Sequence, residues 1–165
     1  MTYFTKQEAR DLAKRVVSSF ESYSSKLESI VESQRYQSNF DVFLSHSIKD
    51  EDLVLGVVKI LEGMGKRVYV DWIVDKQLSR DSVTPETAET LRKRMKKSSH
   101  LLYLATDSSS SSKWMPWELG YFDGMKPEKV AILPLVDSIY SSFKGQEYLG
   151  LYPALDKDGL KQFLR

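Results

Sequence analysis

Apolar residues recur every three or four positions through the N-terminal part of the chain. They are Ala9, Ala13, Val16, Phe20, Tyr23, Leu27 and Ile30. Such alternating spacing is typical of a heptad seam and predicts one long amphipathic helix over residues 5–34. Thr5 and Glu8 match a capping box at its start. This helix could pack on its own domain or join two copies of the chain through the seam.

The pattern changes after Asn39 to short apolar runs that alternate with stretches of helical spacing. The runs predict strands over residues 40–45, 66–72, 100–105 and 129–136. Helices are predicted between and after them, over residues 50–64, 86–97, 116–125 and 158–164. This alternation predicts an α/β fold with a parallel sheet covered by helices on both faces. We therefore divide the chain into an N-terminal helix, residues 1–38, and an α/β domain, residues 39–165.

Composition narrows the possible function classes. The 165 residues carry 24 basic and 23 acidic side chains, and this balance gives no general attraction to nucleic acid or anionic membranes. The chain has no cysteine and no apolar run near the ~20 residues that span a bilayer, so we expect a soluble cytoplasmic protein without a membrane partner. Phosphate-binding glycine motifs are absent, and with two histidines no metal site is expected.

The most unusual segment contains Trp114, Pro116, Trp117 and Glu118. Pro116 suits the first turn of a helix, whose dipole favours the ionised form of a nearby carboxylate such as Glu118. Trp114 and Glu118 are four residues apart and share one helical face. The pair could line a cleft, or it could be a capping glutamate beside core tryptophans.

Four segments in this order resemble a TIR (Toll/interleukin-1 receptor) domain of the bacterial NAD-cleaving type. They are residues 40–47 (FDVFLSHS), residues 65–72 (GKRVYVDW), residues 101–105 (LLYLA) and the Trp114-x-x-x-Glu118 motif. The resemblance covers residues 40–165. It implies a flavodoxin-like sheet of five parallel strands, and residues 147–152 are the candidate for the fifth.

For enzymatic members, the resemblance implies an NAD+ glycohydrolase that cleaves the nicotinamide–ribose bond, with Glu118 as the catalytic residue. NAD+ is then the substrate, and no separate cofactor is needed. Nicotinamide leaves as a neutral molecule, so one carboxylate can suffice where glycosidases use two. The products would be nicotinamide with ADP-ribose or a cyclic ADP-ribose variant, which can serve as a signal in bacterial antiphage defence.

The resemblance also implies substrate contacts at the carboxyl ends of the strands, where ligands bind in such sheets. The predicted substrate-binding residues are Ser45, His46, Ser47, Asp71, Trp72 and Trp114. Trp72 could stack on the dinucleotide or seal the sheet edge, and His46 could be an ordinary loop residue. Residues 71–85 correspond to the BB loop, through which copies of the chain would form a homo-oligomer.

Two other functions remain open from the sequence. Many TIR domains are non-catalytic modules that bind one another through the same loop. Nucleoside deoxyribosyltransferase-like enzymes share the sheet type and a catalytic glutamate. Release of nicotinamide from NAD+ would distinguish the predicted enzyme from both.

Overall fold

A computed structural model describes residues 2–72 and 84–165 of the chain. Its sheet has five parallel strands in the order β1-β5-β4-β2-β3. They are β1 (Phe4–Thr5), β2 (Phe40–Ser45), β3 (Val68–Val70), β4 (Ser98–Ala105) and β5 (Val130–Val136). This is the flavodoxin-like arrangement that the resemblance implied.

Six α-helices are formed by the described residues and cover both faces of the sheet. They are α1 (Lys6–Val16), α2 (Tyr23–Gln34), α3 (Glu51–Gly63), α4 (Pro85–Lys96), α5 (Trp114–Met125) and α6 (Lys157–Phe163). None of these helices has the length and apolar character that crossing a membrane requires. The four helices predicted after Asn39 are present, with ends that differ by one or two residues.

Two apolar clusters fill the space between the sheet and its helices. On one face, Val42 and Leu44 of β2 pack with residues of α1, α3 and α6. On the other face, Phe43 and Tyr103 pack with residues of α4 and α5. Successive strand residues point to opposite faces, which explains why each strand of this doubly covered sheet reads as a continuous apolar run.

The single long N-terminal helix was a wrong prediction. Helix α1 ends at Val16, because the backbone of the next residue, Val17, is extended (φ −104°, ψ 140°). Helix α2 begins after Ser22, whose side chain accepts from the Ser25 N–H at 3.0 Å. Phe20, in the middle of the proposed seam, is 99% exposed. This bond of the Ser22 side chain to nearby backbone favours a new helix start over helix continuation.

Both N-terminal helices pack on the α/β core. Ala9 and Ala13 of α1 are fully buried, as is Leu27 of α2, and all three belong to the same apolar cluster as the β2 side chains. The division at residue 38 remains a prediction about independent folding. The packing shows that residues on both sides of it share one cluster.

The fifth strand was also predicted in the wrong place. Residues Glu147–Leu151 form a 3₁₀ turn, and the strand at that edge of the sheet is β1. Phe4 pairs with Leu135 and Thr5 with Val136, while Ala154 forms an isolated bridge with Ile132 farther along β5. The N-terminus therefore completes the sheet, a long-range pairing that no local sequence pattern could indicate.

Helices α1 and α3 approach so closely at Gly56 that a side chain there would clash. A Cβ at Gly56 would lie 2.0 Å from the backbone oxygen of Ala9, whereas a Cβ at Gly63 of the same helix would meet nothing within 4 Å. We expect Gly56→Ala to lower the free energy of unfolding by about 3 kcal/mol, because overpacking against backbone forces the helices apart. Gly63→Ala should leave it unchanged or slightly raised. Urea unfolding of both variants tests this, and equal stabilities would contradict it.

Candidate functional site

Glu118 lies on the inner face of α5 and is bonded to the end of β2. The Ser45 hydroxyl donates to Glu118 Oε1 at 2.7 Å, and both residues are buried. Pro116 occupies the first turn of α5, where its missing N–H breaks no helical hydrogen bond. The structure therefore brings together two of the residues that the sequence predicted for the site, from elements 73 positions apart in the chain.

A tyrosine and an aspartate at the end of β3 lie beside this pair. The Tyr69 hydroxyl donates to Asp71 Oδ1 at 3.3 Å. Burial raises the pKa of Tyr69, and the charges of Asp71 and Glu118 raise it further. Tyr69 therefore stays protonated and remains a hydrogen-bond donor at neutral pH. Asp71 was predicted from the sequence, whereas Tyr69 was not, because its position is that of an ordinary strand residue.

His46 and Trp72 form a stacked pair next to Ser45. Their ring centroids are 5.7 Å apart at an interplanar angle of 29°, and both side chains are buried. The Trp72 indole N–H donates to the Ser24 hydroxyl of α2 at 3.1 Å. Of the two roles left open for Trp72, this position corresponds to sealing the edge of the sheet under α2. A contact with substrate remains a prediction for both residues.

Burial lowers the pKa of His46 to about 4, although a hydrogen bond to the Ser47 backbone has the opposite, smaller effect. The folded protein then keeps His46 neutral, while the unfolded chain binds a proton below pH ~6.5. Stability from this residue is therefore present above pH ~6.5 and is lost as the pH falls toward 4.

Between pH 6.5 and 4, the free energy of unfolding of the unsubstituted protein (the parent) should fall by about 3 kcal/mol more than that of the His46→Gln variant. The reason is that each unit of pKa shift corresponds to about 1.4 kcal/mol. Denaturant unfolding across this range measures the difference. His100, whose pKa is also lowered by burial, is present in both proteins and its contribution cancels. Parallel stability curves for the parent and variant would contradict the prediction.

Trp114 is half-buried at the start of α5, where it meets a second tryptophan. The Trp114 and Trp117 rings lie edge to face with centroids 5.2 Å apart, and Trp117 stacks on Tyr121 at 5.9 Å. The Arg92 guanidinium lies 5.5 Å from the centre of the Trp117 ring. This aromatic row joins α5 to α4, which favours a supporting role for Trp114. Its predicted contact with NAD+ remains untested.

Ser47 faces inward at the end of β2. It is fully buried, and its hydroxyl accepts from the Lys49 N–H at 3.3 Å, so it shapes the loop in this structure. Thr106, just after β4, donates to the Asp50 carboxylate at the start of α3. Asp50 was not identified from the sequence. Thr106 follows β4 at the edge where ligands are expected, but it was not among the predicted substrate-binding residues. Residues 73–83 of the proposed BB loop lie outside the described residues.

A cleft of about 630 Å³ opens beside this site at the carboxyl ends of β4 and β5; we call it the β4–β5 cleft. Its lining includes Lys6, Tyr103, Asp107, Asp137 and Tyr148, but not Glu118. Lys6 bridges Asp107 at 2.6 Å and Asp137 at 2.8 Å, which ties the N-terminus to the ends of both strands. Within residues 2–72 and 84–165, no group of three or more acidic or histidine side chains could hold a metal ion.

Comparison with known proteins identifies two bacterial relatives. The chain is 55% identical over 119 residues to a Bacillus cereus (strain MSX-D12) protein named probable 3' cyclic ADP-D-ribose synthase ThsB', covering 72% of this chain and 61% of that protein. It is 34% identical over 94 residues to a Cytobacillus dafuensis protein named putative cyclic ADP-D-ribose synthase TIR2. This match covers 55% of this chain and 25% of that protein. No protein-family model matches the chain.

The chain thus spans about three fifths of the first relative's length and a quarter of the second's. The similarity nevertheless agrees with the four sequence segments that resemble TIR domains and with the five-stranded parallel sheet. Over the matched region, the chain is therefore similar to bacterial proteins of the TIR type.

Proposed function

We propose that this protein cleaves NAD+ at the nicotinamide–ribose bond and forms a cyclic ADP-ribose. The observation that carries the proposal is the position of Glu118, buried at the carboxyl edge of the sheet and fixed by the Ser45 hydroxyl. Both relatives are named as cyclic ADP-ribose synthases, and this supports the same chemistry.

The chemistry requires little from the protein beyond placement of one anion. The C–N bond breaks with its electron pair going to nicotinamide, which carries a positive charge in NAD+ and leaves neutral, so no general acid is needed. Positive charge develops at the anomeric carbon, and Glu118 would stabilise it electrostatically. In a dry site such stabilisation is much stronger than in water, and Glu118 is 4% exposed.

Ser45 would act as a positioning residue for this carboxylate. A hydroxyl that donates at 2.7 Å to one carboxylate oxygen would hold the carboxylate in a fixed orientation toward the substrate. Tyr69 and Asp71 add a second bonded pair beside it, which would limit how far the glutamate can turn. The proposal includes contacts to the dinucleotide from the six predicted substrate-binding residues, which are Ser45, His46, Ser47, Asp71, Trp72 and Trp114.

Assembly and biological role are further parts of the proposal. We propose that the chain acts as a homo-oligomer joined through residues 71–85, and that its cyclic product is a signal in antiphage defence. The support for both is the resemblance to bacterial TIR enzymes. Light scattering at several protein concentrations, with activity measured in parallel, tests whether activity follows oligomer formation.

The central experiment is incubation of the purified chain with NAD+ and, separately, with deoxynucleosides. We expect nicotinamide and a cyclic ADP-ribose from NAD+, identified by chromatography and mass spectrometry, and no base exchange between deoxynucleosides. A protein that forms oligomers but releases no nicotinamide would instead be a non-catalytic interaction module. Exchange of bases would indicate the deoxyribosyltransferase-like activity.

A further inference from the structure

The β4–β5 cleft has the size and location of a small-molecule site, but the chemistry assigned to Glu118 does not use it. Its volume of about 630 Å³ lies within the ~300–1,000 Å³ of typical ligand pockets. It also lies at the carboxyl ends of parallel strands, where ligands of such sheets bind. The cleft could therefore bind a part of the substrate or product other than the bond that is cleaved at Glu118.

The cleft begins one strand away from the glutamate's partner. Tyr103 of β4, which lines the cleft, is the register partner of Ser45 in β2. Paired residues of neighbouring parallel strands point to the same face and lie about 5 Å apart. Since Ser45 is bonded to Glu118 at 2.7 Å, a ligand in the cleft would be adjacent to the substrate at Glu118.

The charges of the lining favour an uncharged ligand over a phosphate. Two cations, Lys6 and Lys144, face three carboxylates, Asp107, Asp137 and Glu147. Lys6 is already paired with two of these carboxylates. A phosphate group would meet a net acidic surface, whereas ribose hydroxyls could donate to the exposed oxygens of Asp107 and Asp137.

The cleft also presents an aromatic ring in a fixed position. Tyr148 is 38% exposed in the 3₁₀ turn after β5, and its side chain is hydrogen-bonded to Tyr103. The residue before it, Glu147, has a φ of 52°, in the left-handed region that costs a non-glycine residue about 1–2 kcal/mol. Such strain is often kept where it serves a function. A partly exposed, anchored ring is a suitable surface for stacking a purine base.

We propose that the β4–β5 cleft binds the adenosine end of NAD+ and thereby directs the reaction toward cyclisation. With the base held at Tyr148, a ribose hydroxyl of the adenosine can reach the anomeric carbon at Glu118. After nicotinamide leaves with the C–N electron pair, this hydroxyl oxygen forms the new C–O bond and releases its proton to solvent. Without the cleft contact, water attacks the same carbon and gives ADP-ribose. This inference rests on the proposed function.

The test compares two tyrosines of the same segment. Tyr148 lines the cleft, whereas Tyr140 is 91% exposed and does not line it. We expect Tyr148→Ala to lower the ratio of cyclic product to ADP-ribose at least about fivefold, the lower limit for loss of one base–aromatic stack. Tyr140→Ala should keep the parental ratio, and Tyr148→Phe should retain most of it. Ser142→Tyr, which fills the cleft from its rim, should lower the ratio as Tyr148→Ala does.

The product ratio separates this proposal from damage to the fold, since partial unfolding lowers total nicotinamide release without changing how the product divides. Parental ratios in both Tyr148→Ala and Ser142→Tyr, with nicotinamide still released, would overturn the cleft's role and leave the proposed cleavage intact. A parent that releases no nicotinamide would defeat the proposed function. In that case, titration with adenosine monitored by NMR tests the cleft alone. Adenosine binding that is weakened by Tyr148→Ala but not by Tyr140→Ala supports the site. Absence of adenosine binding overturns it.

Discussion

Replacement of Glu118 by glutamine is expected to reduce nicotinamide release from NAD+ by on the order of a thousandfold, the range seen when one electrostatic stabiliser of a transition state is removed. Glutamine has nearly the same shape, and its amide oxygen can still accept from the Ser45 hydroxyl that now bonds Glu118. The free energy of unfolding should therefore change by no more than about 1 kcal/mol. The loss of the negative charge is then the main consequence of the substitution.

The matched control is Glu128→Gln, which removes the same charge from an exposed residue just after α5. Its turnover should equal that of the parent. Nicotinamide release can be followed by chromatography at saturating NAD+, with thermal melting to confirm the fold of each variant. Near-parental turnover in Glu118→Gln would show that the carboxylate does not stabilise the reaction and would remove the main support for the proposed mechanism.

Removal of residues 1–38 is expected to prevent stable folding of residues 39–165. The deletion removes β1 from the sheet edge and exposes the surface of α3 that α1 covers through the buried Ala9 and Ala13. It also removes Leu27 and Ile30, each worth about 1.5–3 kcal/mol when buried. Their sum approaches the ~5–15 kcal/mol stability of an ordinary domain.

Edge protection would be lost as well. The Gln34 side chain pairs with the outer edge of β3, donating to the Val68 carbonyl and accepting from the Val70 N–H. Without it, an unpaired strand edge favours aggregation. Near-UV circular dichroism and size-exclusion chromatography of the truncated chain test the prediction, with Phe20→Ser in the exposed link as a control that should behave like the parent. A cooperative melt at the parental temperature would instead support the independent domain that the hydrophobic pattern indicated.

Much of the site could be predicted because its residues follow strands. The segments after β2 and β3 place Ser45, His46 and Asp71 at one edge of the sheet, and the resemblance placed the loop after β2 near Glu118. The hydrogen bond from Ser45 to Glu118 itself was not predicted. The stack of His46 on Trp72 and the bond from Trp72 to Ser24 could not be predicted. They depend on where α2 packs, which local spacing does not specify.

The sequence by itself determined the repeating strand and helix pattern from β2 to α6, because buried parallel strands and amphipathic helices impose different spacings on apolar residues. It also pointed to Glu118 as the candidate catalytic residue, because the Trp114-x-x-x-Glu118 motif that carries the resemblance is local. Only the tertiary structure decided which segment completes the sheet, where the N-terminal helix breaks, and that a cleft lies beside Ser45. Each of these depends on contacts between residues far apart in the chain. Strand β1 has only two residues and so leaves no periodic signal, and the bridge of Lys6 to Asp107 and Asp137 leaves none either.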